Sequence, residues 1–206
     1  TALSSRYDGD ITSDRNVLDL SYAEAMEKLV RTYPEDMDAA SLYSEALMNT
    51  MPWNYWSDDG SPKSDTIKVI SKLEEVLEKE PNHPLAIHLY IHAVEASSSP
   101  ERAELAAERL GGLVPGAGHL VHMPAHIFWR VGRYHDASEA NINAAKVDEE
   151  YIAQCNAQGF YPAAYYPHNI HFLWAASTME GRSELSIESA LKVAKYVNLD
   201  QIKLFP

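Results

Sequence analysis

A chain of 206 residues with 46% apolar side chains has room for one large domain or a short array of repeats, and it is too apolar to stay disordered. A formal net charge of -13 and a pI near 5.0 leave no surplus of Lys or Arg to neutralise phosphates, so neither nucleic acid nor an anionic membrane surface is an expected partner. No apolar run approaches the length of a bilayer span, and the single Cys155 rules out an internal disulfide or a multi-cysteine zinc site. A soluble protein is expected. The first residues, Thr1 to Tyr7, read like the tail of a helix rather than a leader, which leaves the cytoplasm, or a secreted or periplasmic location if the chain is cut from a longer precursor.

Taken in order, the patterns are all helical. Asp19 to Thr32 reads as a lone second helix of a partial repeat, residues 1–34, closed by Pro34. Asp38 to Met48 and Thr66 to Glu80 form a pair, the latter with Ile67, Ile70, Leu73 and Leu77 expected on one face. Between them, residues 51–63 are rich in turn formers and include Trp53, Tyr55 and Trp56, expected to cover an end of the array. Leu85 to Glu95 follows. Its partner is expected to open at Ser99-Pro100-Glu101 and to close at Gly111-Gly112. Next come His119-Leu-Val-His122-Met-Pro-Ala-His126 and a helix from Asp136 to Glu150. Residues 152–166 look like an aromatic, proline-bearing insertion, expected as a lid, a groove plug or a packed edge. Pro167 to Glu180 and Ser183 to Val197 make the last pair.

Pro81 and Pro115 lie 34 residues apart, and Pro34 and Pro81 lie 47 apart, the excess falling in the 51–63 stretch. Gly132-Arg-Tyr134 with Ala137 after it, and Gly181-Arg-Ser183, punctuate the later part. With this step, the Gly-x-Tyr and the closing prolines, the chain resembles the tetratricopeptide repeat (TPR) family. The resemblance implies an all-α solenoid of antiparallel helix pairs in one domain over residues 1–206, wound as a right-handed superhelix. The full repeats would span about 35–81, 82–115, 116–150 and 167–206. His119 to Phe128 and Tyr165 to Phe172 are also similar to a group of bacterial TPR-like proteins that share these stretches, for which no activity is established.

Counting from the markers puts His88 and His92, His119, His122 and His126, and His168 and His171 on equivalent stripes of successive first helices. By the family resemblance, that stripe faces the groove. Glu95 shares it, whereas His83 and His135 do not. Imidazoles at i and i+4 can reach one ion, and neutral imidazole suits Zn, Cu, Fe and Ni. Pro124 either kinks the helix between His122 and His126 or starts it near Met123.

The leading expectation is therefore a transition-metal protein, with ligands drawn from His88, His92, His119, His122, His126, His168 and His171. As an enzyme it would be hydrolytic with Zn and oxidative with Cu or Fe, with Glu95, Tyr165 or Tyr166 as catalytic candidates. A small molecule or peptide in the groove would be the further partner. The alternative is an adaptor that binds a peptide or partner protein without metal, the histidines serving as contacts.

Overall fold

The computed structural model describes residues 1–196; the end of the helix expected to run to Val197 lies outside the described residues. Ten α-helices, two short 3-10 segments and one π-turn carry most of that length, and among the described residues the only strand-like pairing is a single bridge between Trp56 and Pro62. No described helix is long and apolar enough to cross a membrane. The chain divides into two compact units, Thr1–Ala103 and a second that begins at Glu104.

The first unit holds α1 (Arg15–Thr32), α2 (Met37–Asn49), α3 (Thr66–Lys79) and α4 (Pro84–Val94), each packed against the next. Side chains start three of them. Asp14 accepts from the Asn16 N–H, Asp36 from the Ala39 N–H, and His83 Nδ1 from the Ala86 N–H, each meeting a backbone donor that the first turn leaves without a partner. α2 and α4 are buried on most of their circumference, so they form the centre of the unit. α3 buries Val69, Ile70, Leu73 and Val76, while Ile67 stays 51% exposed, so its inner face is turned by about one residue from the expected one. The 51–65 loop is pinned to α3 and α4. The Trp56 indole donates to the Ala93 carbonyl, and the Thr66 hydroxyl donates to the Tyr55 carbonyl.

The second unit holds α5 (Glu104–Leu113), α6 (Gly118–His122), α7 (Pro124–Arg130), α8 (Tyr134–Cys155), α9 (Tyr166–Glu180) and α10 (Ser183–Tyr196). α8 packs against α6, α7 and α9, and α10 covers α9. The expected stop at Gly111-Gly112 does not occur: α5 runs through both glycines, with a 3-10 turn over Pro100–Ala103 before it. The glycines that do end helices are Gly132 and Gly181, at φ 82° and 83°, a conformation that carries little penalty only without a Cβ. Behind them Arg133 N–H bonds the Phe128 carbonyl and Arg182 N–H the Ser177 carbonyl, closing α7 and α9. The 152–166 stretch is largely structured. α8 continues to Cys155, Asn156 ends it in the left-handed region, and one turn of π-helix over Tyr161–Tyr165 leads directly into α9.

Candidate metal centre

α6 and α7 are two parts of one bent helix. Pro124 has no N–H, so the ladder breaks there, yet Met123 keeps helical dihedrals (φ -50°, ψ -38°) and the chain is carried across by His126 N–H to the Met123 carbonyl. Of the two expected alternatives, the bend between His122 and His126 is the one found. It keeps both rings on one face: His122 Nε2 and His126 Nε2 are 2.9 Å apart. From α9, His168 Nε2 comes to 3.1 Å from the same His122 nitrogen.

His122 is wholly buried, and its other nitrogen is fixed. Nδ1 lies 2.6 Å from Asn141 Oδ1, on α8, while the Asn141 amide donates to the Ala137 carbonyl at 2.7 Å. An amide oxygen can only accept, so His122 Nδ1 carries the proton and Nε2 presents a lone pair. Burial, reinforced by the imidazoles of His126 and His168, pushes the His122 pKa well below 6.5; the Asn141 bond opposes this and is outweighed. Phe172 closes one side, with ring centroids 4.6 Å from His126 and 5.0 Å from His122.

The arrangement is one that can hold a metal ion. A single sp² lone pair cannot accept well from two neighbours at once, but three Nε2 atoms can share an ion. The 2.9 and 3.1 Å separations are a few tenths short of the roughly 3.3 Å between ligand nitrogens of a tetrahedral ion with bonds of about 2.0–2.1 Å, and small ring tilts make up the difference. A neutral buried imidazole held by an outer partner is the form that binds metal.

The other expected residues divide clearly. His119 flanks the trio, stacked on His122 at 5.9 Å and meeting Tyr165 edge-on at 4.7 Å. His171 is exposed beside Trp174 and is not brought to the trio. His168 and Phe172 are half-buried on α9, whereas His171 is exposed on it. Tyr166 is also not placed for catalysis: it is 1% exposed, packed with Ala145 and Ile170, and its hydroxyl donates to Glu149 Oε1 at 2.6 Å.

In the first unit, His88 and His92 form a pair on α4 with ring centroids 4.9 Å apart. His92 Nδ1 is 2.9 Å from Glu95 Oε1, and Trp53 stands edge-on to His92 at 5.0 Å. His83 is a helix cap whose Nε2 donates to Asp38, and His135 is an exposed partner of Glu180.

Sequence reasoning missed Asn141, Asp148, Tyr161 and Phe172. One signal was present. Ala137, Ser138, Asn141, Ala144 and Asp148 are all fully buried on α8, so three of these five inner positions are polar. Asp148 accepts from the Tyr161 hydroxyl at 2.6 Å and from the Asn169 amide at 2.7 Å, and burial raises its pKa.

No family model matches the chain, and no curated protein matches it. Among solved structures it is similar to MamA, residues 41 to the end, from Desulfovibrio magneticus RS-1, with a TM-score of 0.64 and 14% identity over 88% of this chain and 87% of that one. MamA is a TPR-like protein, and at this identity the likeness defines the fold: this is a TPR-like helical protein.

Proposed function

We propose that the chain binds a transition-metal ion in its second unit through Nε2 of His122, His126 and His168. The observation that carries the reading is the His122–Asn141 bond. A buried amide oxygen fixes the tautomer so that the lone pair faces two further imidazoles. The ligand set suits Zn, Cu, Fe or Ni. Three protein ligands with a fourth position open is the pattern of catalytic rather than structural zinc, and such an ion would supply hydrolytic chemistry as Zn and oxidative chemistry as Cu or Fe. His88 and His92, with Glu95 behind His92, offer two nitrogens for a weaker second ion.

A second reading draws its support from the fold. TPR-like helix pairs suit the binding of a partner protein or peptide, and the likeness to MamA favours this class more than it favours metal. The histidines would then be contact residues. Protein purified without chelator and examined by elemental analysis and metal titration separates the two. Saturable binding near one ion per chain supports the metal site. Trace, non-saturable metal leaves the partner-binding reading in its place.

A further inference from the structure

We infer that Asp148 is a positioning residue for the metal centre, setting His168 by joining the three segments around it. The inference rests on the metal reading above and deepens it.

Asp148 lies on α8 and is fully buried. A carboxylate in that position must be met by donors, because leaving it bare in a low-dielectric interior is strongly unfavourable. The donors come from the segments that deliver the site. Asn169 immediately follows His168, and its amide bond to Asp148 Oδ2 fixes the rotation and height of the first turns of α9. Tyr161 belongs to the π-turn that leads into α9, and its hydroxyl donates to Asp148 Oδ1. Gly118, the first residue of α6, completes the contact. A Cβ there would sit 1.9 Å from Asp148 Oδ1, so no side chain fits and the carboxylate lies against the backbone just ahead of His119 and His122.

One carboxylate therefore touches the start of the helix bearing His122 and His126, the turn before α9, and the residue beside His168. The 3.1 Å approach of His168 to His122 is made at this level of the unit. Asp148 does not itself touch the ion position; it acts through His168.

The test is Co(II) and Zn(II) titration of the full chain, with the visible Co(II) spectrum as the readout of ligand geometry. Asp148→Ala is expected to weaken binding by about ten- to a hundred-fold, the range for outer partners of metal ligands, and to change the Co(II) bands. Asp148→Asn, which keeps the shape and one acceptor, should recover part of the loss. Gly118→Ala is locally favourable to helix yet displaces the carboxylate, so it should reproduce the effect in a folded protein if Asp148→Ala does not fold. In a His168→Ala background, Asp148→Ala should add no further loss. Equal losses with and without His168, or an unchanged affinity and spectrum, would overturn the role of Asp148 while leaving the metal site standing. A wild-type protein that fails to bind Co(II) saturably would remove the metal reading and this inference with it.

Discussion

Two histidine pairs with identical i, i+4 spacing sit on helices of the same kind, and their surroundings make them different objects. His88 and His92 lie on α4 with a carboxylate, Glu95, on the outer nitrogen of His92. His122 and His126 lie across a proline bend, with a neutral amide, Asn141, on the outer nitrogen of His122 and a third imidazole, His168, completing the group. Spacing alone makes a pair of rings adjacent. The partner of the far nitrogen and a ligand from another helix decide whether the pair is arranged as a site.

The largest expected effect comes from removing the shared centre. His122→Ala should weaken metal binding by more than about 100-fold, beyond the range of an outer partner, and should cost the metal-free fold about 2–4 kcal/mol through the cavity and the stranded Asn141 oxygen. Titration and denaturant unfolding read the two effects separately. Asn141→Leu, which leaves the His122 tautomer unfixed, should cost about ten- to a hundred-fold in affinity. Asn141→Asp sharpens the comparison by giving His122 the kind of partner that His92 has. The carboxylate favours imidazolium, so the pH at which protons displace the metal should move upward.

The pH dependence of the metal-free protein is a third, smaller effect. His122 in the folded state titrates well below 6.5, so as the pH falls through about 6.5 the unfolded chain takes up a proton that the folded chain refuses. Stability is then full above that pH and lost progressively below it, and His122→Phe should flatten the acid limb of a denaturation series. The smallest effects belong to His83 and His135, which lie outside the pairs and the trio. His83→Ala should cost about 0.5–2 kcal/mol as a lost helix cap, with metal binding unchanged. Replacing the exposed His135 should change neither.

The periodicity of the sequence located the helices because amphipathic spacing and capping chemistry are local. Asp36, His83, Gly132 and Gly181 each act within a few residues of their own position. The register of faces was less legible. Ile67 and His171 were both expected on inner faces and are both exposed, because a helix's rotation follows from its packing against neighbours and not from its own spacing. Gly111-Gly112 looked like a stop and lies within a helix, since packing holds α5 past them. The trio could be drawn only in part. His122 and His126 are visible as a pair, but the choice of His168 over His171 depends on a contact with His122 far back in the chain, and the burial of Tyr166 depends on packing against Ala145 and Ile170. Asn141 and Asp148 were readable as polar residues on the inner stripe of α8; what they hold was not.

The most direct measurement is anomalous diffraction at the zinc edge from crystals of the full chain grown with Zn(II). The account predicts a peak about 2.0–2.1 Å from Nε2 of His122, His126 and His168 together, with Asn141 still bonded to His122 Nδ1. A peak only at exposed histidines such as His135 or His171, or none at saturating zinc, would contradict it.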